Sequence, residues 1–421
     1  MKKIGGLVLL VFLLISTSYA NSLQIKSTYT KSDTSNLTQK EWTIMAYLDG
    51  DNNIQNDILR SFNYLDYEGY NENINVVAQL DVKDSSLGVR RFIVAEDDNI
   101  TEVQKLDELS MGDEETLVDF VTWAKNNYPA KKYCLVLSDH GCGWRKGFLI
   151  DETNTIIDEG EEKSDFLSMT ELKSSMNRIK DVLDGNKLDL LFLNACMMGM
   201  VEIYYQIRDT TKVCLASPCG DKLCPFHMVF DDLYEDVTCN ETVLAEYFYY
   251  ASYYFASGID HTIVDLVMVN SDLVDALDSF ADELIDNFKK CKDEIKQAIT
   301  NSKSYNGPGG YIMHYRDLFD FANEISDITT CESLKTKAEE LKNIILKCKI
   351  LPSGMWGVSI YLPVFDREYK YDPSYTDLDL CKDTNWDDFV LKTKNLRSAS
   401  LDRLVRNHPC FSDIIRLILQ K

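Results

Sequence analysis

The chain has 421 residues, of which 45% are hydrophobic and 11% aromatic, so it can form a sizeable core and is not a mainly disordered protein. Its 44 Lys and Arg residues are outnumbered by 68 Asp and Glu residues, which gives a formal net charge of -24. A field of that sign repels nucleic acid and anionic membranes, which excludes both as expected partners, and it mildly favours cationic substrates.

The amino-terminal segment predicts a signal peptide at residues 1–20. Two lysines precede an apolar run from Ile4 to Ile15, which is too short for a stable membrane anchor. Ser18-Tyr19-Ala20 then supplies the small residues that a signal peptidase reads. Residues 21–40 are polar and rich in Ser and Thr, which indicates a flexible leader. We therefore expect a product that is secreted or periplasmic after removal of the signal peptide.

Short, continuously apolar runs alternate with helical patterns through residues 41–235. The predicted strands are Trp42–Leu48, Ile74–Leu80, Arg90–Ala95, Tyr133–Ser138, Leu188–Leu193 and Val213–Ala216. Asp113 is expected to cap one helix and Ser168 or Thr170 a second, and an amphipathic run from Met197 to Ile207 indicates a third. This alternation is typical of an α/β fold with a mostly parallel central sheet and helices on both faces.

Residues 236–421 are predicted to be a more helical part of the protein. Helix-period patterns cover residues 240–257 and 271–300, and strands are expected at Thr262–Val269 and Trp356–Leu362. We expect these strands to return to the core and pack on it.

The 12 cysteines of an exported chain raise the question of disulfides, although a chain of this size does not need them for stability. A Cys219–Cys224 disulfide and free thiols are both left open. Zinc binding by Cys214, Cys219, Cys224 and His227 is a weaker alternative, because their gaps do not match the usual close pairs of zinc ligands.

Two polar segments follow predicted strands and carry a histidine and a cysteine. His140 comes after the strand that ends at Ser138, and Cys196 comes after the strand that ends at Leu193. Functional residues of open parallel sheets lie beyond the carboxyl ends of strands, so neighbouring strands would bring an imidazole and a thiol together. Each motif alone is weak, since a His-Gly is more often a turn and a lone Cys more often packing. Together they predict a nucleophilic pair.

The expected roles follow from the chemistry of the two side chains. Cys196 would be the nucleophile, with the positive end of the following helix lowering the pKa of its thiol. His140 would take the thiol proton and later protonate the leaving amine. The backbone N–H groups of Gly141 and Cys196 would stabilise the oxyanion.

Several ordered motifs between about Trp42 and Pro363 resemble the clostripain family of cysteine peptidases. They are Asp49-Gly50-Asp51-Asn52-Asn53, Met111-Gly112-Asp113, Asp139-His140-Gly141 with Gly143-Trp144, Ala195-Cys196, Asp317-Leu318 and Gly357 to Pro363. The resemblance implies a caspase-like three-layer sandwich and an endopeptidase that cleaves protein or peptide substrates after basic residues. The expected enzyme requires no cofactor, and the resemblance leaves open whether it binds calcium.

The resemblance also implies self-cleavage between the His and Cys segments. The candidate region is the acidic segment Asp151–Phe166, which we predict to be a loop and in which Lys163 is the only basic residue. We expect a monomer, which such cleavage would divide into two chains.

Asn194 departs from the family pattern. The family places an Asp two residues before the nucleophile, where it binds the basic P1 side chain of the substrate, and a neutral amide cannot pair with a guanidinium as a carboxylate does. Asp221 is expected to compensate as a substrate-binding residue, or else the preference has shifted to a polar neutral residue. The atypical segment Ala216–Asp221 and Asn194 also motivate the main alternative, a catalytically inactive caspase-like binding or scaffold protein. A zinc-dependent hydrolase is a third, weaker option.

Asp49, Asp51 and Asn53 match the spacing at the start of a calcium-binding loop. Ile54 and Arg60 then occupy positions where such a loop needs Gly and Glu. The turn is therefore predicted to be an ordinary polar strand-to-helix connection, and no metal ligand is assigned.

Overall fold

The computed structural model describes residues 39–66, 71–95, 99–158, 161–255, 261–305, 314–350, 357–363 and 371–396. The predicted signal peptide and nearly all of the predicted leader lie outside these residues. No helix within the described ranges is both long enough and apolar enough to cross a membrane.

The strands of the described chain alternate with helices in the first half, as the sequence predicts. They are β1 (Lys40–Gly50), β2 (Ile74–Val82), β3 (Arg90–Val94), β4 (Ile100–Lys105), β5 (Ala130–Ser138), β6 (Phe148–Asp158), β7 (Glu161–Leu167), β8 (Leu188–Asn194), β9 (Thr211–Ala216), β10 (Thr262–Asp265), β11 (Ser304–Tyr305), β12 (Tyr315–Asp317) and β13 (Ser359–Tyr361).

The described helices are more numerous towards the carboxyl end. They are α1 (Gln55–Asn63), α2 (Glu114–Asn127), α3 (Met169–Val182), α4 (Val201–Ile207), α5 (Phe226–Glu235), α6 (Glu241–Phe255), α7 (Leu266–Met268), α8 (Val274–Asp286), α9 (Lys292–Asn301), α10 (Leu318–Ile328), α11 (Glu332–Cys348), α12 (Asp379–Asp383) and α13 (Trp386–Thr393).

The described residues build a central sheet of eight strands in the order β10-β9-β8-β5-β1-β2-β3-β4. The five strands from β9 to β2 are parallel to one another, whereas β10 and β3 run antiparallel to their neighbours and β4 runs antiparallel to β3. The predicted mostly parallel sheet is thus confirmed.

Strand β1 shows why the sheet needs cover on both faces. Met45 and Tyr47 point into one apolar cluster, with side chains of α2, α3 and α8. The alternate residues Ile44 and Ala46 point into a second cluster, with side chains of α1, α5 and α6. Because successive residues of a strand face opposite sides, an unbroken apolar strand requires two cores. The molecule is therefore a three-layer α/β/α sandwich.

Two helix starts follow the predicted capping chemistry. The Asp113 carboxylate accepts a hydrogen bond from the backbone N–H of Glu115 at the start of α2. At α3, Ser168 is the cap, and it forms a reciprocal pair of side-chain-to-backbone bonds with Glu171. The open choice between Ser168 and Thr170 is thereby decided for Ser168.

The segment predicted to be an acidic loop is an antiparallel hairpin of β6 and β7. Phe148 and Leu167 pair with each other at its base and are fully buried. The loop prediction was wrong because the acidic residues between them obscure the strand pattern, while apolar residues at both ends anchor the hairpin to the core.

The carboxyl-terminal half returns to the central sheet through β10. This strand is shorter than predicted, because Asp265 ends it and caps α7 by accepting a hydrogen bond from the Val267 N–H. On its outer side, Val264 bridges to Lys349 and the Ile350 N–H donates to the Ile263 carbonyl at 3.1 Å. A separate sheet in the order β11-β12-β13 lies near the segment after β5.

Candidate active site

Strands β5 and β8 lie side by side and end together. They are parallel, with Ser138 opposite Asn194, and the Asp139 N–H donates to the Asn194 carbonyl at 3.4 Å. His140 and Cys196 each follow two residues beyond this aligned pair. Since neighbouring strands are about 4.8 Å apart, the histidine and cysteine segments leave the sheet at one place. The structure therefore meets the condition that the sequence prediction required.

Gly141 packs directly against the backbone of Cys196. A Cβ atom built on Gly141 would overlap the Cys196 carbonyl oxygen and would lie 3.1 Å from its nitrogen. Only a residue without a side chain fits this approach. Across the described ranges, neither the Gly141 N–H nor the Cys196 N–H has a hydrogen-bond acceptor, so both are free to bind an oxygen from outside the chain.

The His140 ring is partly buried and is held by a neighbour that the sequence analysis did not identify. Its Nε2 lies 2.7 Å from Oδ1 of Asn53, in the turn after β1. An amide oxygen only accepts, so Nε2 carries the proton and Nδ1 carries the lone pair. Burial lowers the pKa of His140, with the Glu152 carboxylate opposing it, and the ring is therefore neutral near pH 7. The sequence does contain a signal for this contact, because Asn53 follows the carboxyl end of β1, where functional residues of parallel sheets lie.

The turn that carries Asn53 is fastened to the histidine segment. The Asn52 side-chain amide donates to Asp139 Oδ1 at 2.6 Å and to the Ile150 carbonyl at 3.0 Å. The Ile150 N–H donates to the other Asp139 oxygen at 2.5 Å. The turn after β1, the segment after β5 and the start of β6 are thus joined by hydrogen bonds next to His140.

The Cys196 thiol is partly buried and uncharged. Its sulfur accepts a hydrogen bond from the backbone N–H of Asp221 at 3.2 Å. Burial raises the pKa of the thiol to about 12, and the Asp221 amide opposes this only in part. No hydrogen bond joins the His140 and Cys196 side chains in the described structure.

The expected help from a helix dipole is absent at Cys196. Helix α4 begins only at Val201 and has seven residues. Met197 adopts a φ of 66°, so the chain turns sharply after the cysteine before any helix forms. That prediction was wrong because the dipole acts within the first turn of a helix, and Cys196 lies outside it.

Asn194 is buried, and both ends of its amide are occupied. Its oxygen accepts from the Ser138 hydroxyl at 2.7 Å, and its nitrogen donates to the Lys222 carbonyl at 2.7 Å. The Asp221 carboxylate lies 3.0 Å from Nε2 of His261, and this pair is buried as well. His261 carried no sequence signal, because its contact depends on how β10 docks beside β9.

Residues 217–222, here called the covering segment, run along the nucleophile loop. The Met197 N–H donates to the Cys219 carbonyl at 2.7 Å, and the Gly199 N–H donates to the Ser217 carbonyl at 2.8 Å. No disulfide joins any of the cysteines among the described residues, Cys219 and Cys224 included. The covering segment is therefore fixed by hydrogen bonds and not by a disulfide.

Comparison with known proteins agrees with this arrangement. The family model described as the clostripain family, peptidase C11, matches residues 46–398, which is most of the chain. The chain belongs to the clostripain family. It is 28% identical to clostripain from Hathewaya histolytica over 246 residues, 48% of this chain. That match covers 45% of clostripain, so the chain spans less than half the length of this relative.

Solved structures of the clostripain family share the fold. A secreted C11 cysteine protease from Bacteroides thetaiotaomicron, in complex with an irreversible peptide inhibitor, has a TM-score of 0.62 at 18% identity, over 83% of this chain and 99% of that one. An inactive zymogen C11 protease from Parabacteroides distasonis has a TM-score of 0.56 at 18% identity, with the same coverage. At these identities the likeness establishes the caspase-like fold.

Proposed function

We propose that this member of the clostripain family is an exported cysteine endopeptidase with Cys196 as nucleophile and His140 as general base. The observation that supports it best is the register of β5 and β8, with Ser138 opposite Asn194. This register brings together, at one edge of the sheet, an imidazole, a thiol and two backbone N–H groups that have no acceptor among the described residues. Such a set is what acyl transfer from a peptide requires.

The two neutral side chains define the proton transfers. As the Cys196 sulfur bonds to the scissile carbonyl carbon, the thiol proton passes to Nδ1 of His140 and the carbonyl electrons move to oxygen. The Gly141 and Cys196 N–H groups stabilise that oxyanion. His140 then protonates the leaving amine as the C–N bond breaks, and water hydrolyses the thioester with His140 again as base.

The preferred P1 residue is proposed to be neutral. Asn194 stands in place of the family carboxylate, and both ends of its amide are already hydrogen-bonded. The Asp221 carboxylate is engaged with His261 and is not open to a substrate cation in this arrangement. Neither residue therefore offers a free carboxylate to a P1 guanidinium, which favours a neutral P1 side chain.

Export and self-processing complete the proposal. The predicted signal peptide and the description of a Bacteroides neighbour as secreted both favour export. Self-cleavage is proposed in the β6–β7 hairpin, which lies between the histidine and cysteine segments along the chain. An intact single chain after prolonged incubation of active enzyme would contradict the processing step while leaving peptidase activity in place.

The decisive test is cleavage of a peptide library by purified mature protein, compared with Cys196→Ala and His140→Ala. We expect cleavage by the native protein, with a neutral P1 residue, and loss of turnover in both variants. Clear preference for Arg or Lys at P1 would overturn the specificity proposal alone.

The alternative, a catalytically inactive binding or scaffold protein, has one observation in its favour. The covering segment donates a backbone N–H to the sulfur, and the thiol is uncharged. A thiol-reactive peptide probe distinguishes the two. Labelling that disappears in Cys196→Ala supports the peptidase, whereas no labelling under reducing conditions supports the scaffold.

A further inference from the structure

Two cysteines of the carboxyl-terminal part lie together, although they belong to turns that are distant in sequence. Cys291 directly precedes α9, and Cys331 directly precedes α11. Both are buried, with 1% of Cys291 and 6% of Cys331 exposed. No disulfide joins them in this structure. Neither residue belongs to the proposed active site, so their proximity calls for an explanation of its own.

Two neighbouring residues each contact both cysteines. The Asn287 carbonyl accepts from the Cys291 N–H at 2.8 Å, and the Asn287 side-chain oxygen accepts from the Cys331 thiol at 3.3 Å. The Thr329 hydroxyl lies 4.0 Å from the Cys291 sulfur and accepts from the Cys331 N–H at 3.2 Å. Because they share these partners, the two sulfurs need only side-chain rotation and a small shift of either turn to reach bonding distance.

The surroundings of the two thiols differ in a way that assigns them different roles. The Ser333 hydroxyl, 3.4 Å from the Cys331 sulfur, and next the backbone N–H of Leu334 lower the pKa of Cys331. Burial, and next a hydrogen bond to the Glu294 carboxylate, raise the pKa of Cys291. A thiolate attacks a disulfide and a thiol does not, so Cys331, which is also the more exposed of the two, reacts first.

We propose that Cys291 and Cys331 form a reversible disulfide when the protein meets a low-molecular-weight disulfide such as oxidised glutathione. The Cys331 thiolate bonds to one sulfur of that compound, whose S–S bond breaks and releases one thiolate. Cys291 then attacks the Cys331 sulfur, the second thiolate leaves, and the proton of Cys291 ends on a released thiolate. Two cysteine thiols are thus oxidised, and one small disulfide is reduced to two thiols.

The disulfide would join the turn after α8 to the turn before α11. It closes a loop of the chain that contains α9 and α10. A cross-link of this kind restricts the unfolded chain and so raises the stability of the folded state. We therefore expect the oxidised protein to unfold at a higher temperature than the reduced protein. The pairing itself depends neither on export nor on peptidase activity.

Peptide mapping of the purified mature protein tests the pairing. The protein is reduced, equilibrated with oxidised glutathione, quenched with acid, blocked with N-ethylmaleimide and digested without reductant. We expect a cross-linked peptide pair that contains Cys291 and Cys331, and a melting temperature about 5 °C above that of the reduced protein. Dithiothreitol should reverse both changes. Absence of the cross-linked pair would overturn the proposal, and equal melting temperatures of the two forms would overturn its stabilising effect.

Cys291→Ser and Cys331→Ser identify the thiol that attacks. Serine is a preferred residue at the start of a helix, so Cys331→Ser should fold. Each variant should lose the cross-link and the temperature shift. Cys291→Ser should accumulate glutathione on Cys331 at least about ten-fold faster than Cys331→Ser accumulates it on Cys291, because only the first retains the thiol of lowered pKa. Equal rates would overturn the assignment of roles.

Cys381→Ser is the matched control, because Cys381 is a partly buried thiol of α12 in the same part of the protein. It should keep the cross-link and the temperature shift, and loss of the cross-link in this variant would overturn the pairing. Cys196→Ala should keep both as well. A cross-link in a protein that cleaves no peptide would overturn the proposed peptidase and leave the disulfide standing.

Discussion

His140 and Cys196 are both held in their uncharged forms by burial. A preformed thiolate–imidazolium pair would need the pKa of the thiol to fall below that of the ring, and the two are shifted the opposite way. In the proposed mechanism, the sulfur therefore becomes nucleophilic only as His140 removes its proton during attack. The hydrogen bond from the Asp221 N–H favours the thiolate, but burial outweighs it.

This charge state predicts the pH dependence of Cys196 alkylation. With the pKa of the thiol raised to about 12, the rate of reaction with iodoacetamide should rise steadily from pH 6 to pH 9, because the thiolate fraction grows roughly ten-fold per pH unit. Mass spectrometry of the labelled residue, with Cys196→Ala as the blank, measures it. A plateau reached near pH 6 would show a preformed ion pair and contradict the expectation.

Gly141→Ala should strongly lower turnover while the protein stays folded. The new methyl group would overlap the Cys196 carbonyl and displace one of the two proposed oxyanion donors, which costs about 100-fold or more in kcat. Gly185→Ala, in the turn after α3, is the matched control: its φ of 81° makes it strained too, but it is remote from the site. Equal kcat for the two variants would remove Gly141 from the oxyanion site.

At the residue scale, the sequence predicted which segments meet but not which atoms touch. His140, Gly141 and Cys196 could be placed together because each follows an apolar strand. The contacts of His140 with Asn53 and of Asp221 with His261 could not, because they depend on side-chain directions and on strands far apart in sequence. The catalytic roles of His140, Gly141 and Cys196 stay predictions.

At the scale of elements, two predictions from the local sequence pattern were wrong. The amphipathic run from Met197 predicted a helix, but α4 begins at Val201 because the chain first packs against the covering segment, where a Cβ on Gly199 would lie 2.6 Å from the Pro218 nitrogen. The acidic hairpin lacks the apolar alternation that marks a strand. Both elements are shaped by tertiary contacts, which local pattern does not contain.

The covering segment should be loosened by Asn194→Asp. A carboxylate still accepts from Ser138 but cannot donate to the Lys222 carbonyl, so two acceptors would face each other in a buried place. We expect about 1–3 kcal/mol loss in the free energy of unfolding, and faster amide hydrogen exchange in residues 217–222.

Asn177→Asp provides the control for that change. The Asn177 side chain also donates to a backbone carbonyl, that of Lys173 at 2.9 Å, but on the exposed face of α3. Its cost should be within about 0.5 kcal/mol. Unchanged exchange rates in the covering segment of Asn194→Asp would show that this hydrogen bond does not hold it.

At the scale of the whole molecule, Glu202 joins the sandwich to the carboxyl-terminal part. It is fully buried, and its Oε1 accepts from the Tyr361 N–H at 2.7 Å and from the Tyr375 hydroxyl at 2.8 Å. Burial raises the pKa of this carboxyl to about 8. The folded state therefore keeps a proton that the unfolded chain releases near pH 4.5.

Stability should fall as pH rises through this window. Between about pH 4.5 and pH 8 the folded state binds more protons than the unfolded state, so the free energy of unfolding decreases with pH. Glu202→Gln removes this dependence and should be more stable than the native protein by roughly 2 to 4 kcal/mol at pH 8. Urea unfolding at pH 5 and pH 8 measures it. A native-minus-variant difference that does not change with pH would contradict the assignment.

The fold class could be predicted from the sequence, but the order of the strands in the sheet could not. Alternating apolar strands and helices predict a covered parallel sheet wherever they occur. The order β8-β5-β1-β2 could not be derived from pattern, because buried strands are all equally apolar and any could occupy the centre. The division at residue 236 stays a prediction, although β10 does add to the central sheet.

The cover on the outer side of β10 has a consequence for self-association. Residues Lys349 and Ile350 occupy hydrogen-bonding positions there, so a second molecule cannot extend the sheet at that rim. The opposite rim, β4, exposes the charged residues Glu102 and Lys105, which oppose strand addition. Because neither edge strand of the central sheet favours pairing with a second molecule, we expect a monomer. Light scattering after gel filtration should give the mass of one chain. A stable dimer would require an interface other than an extension of the central sheet.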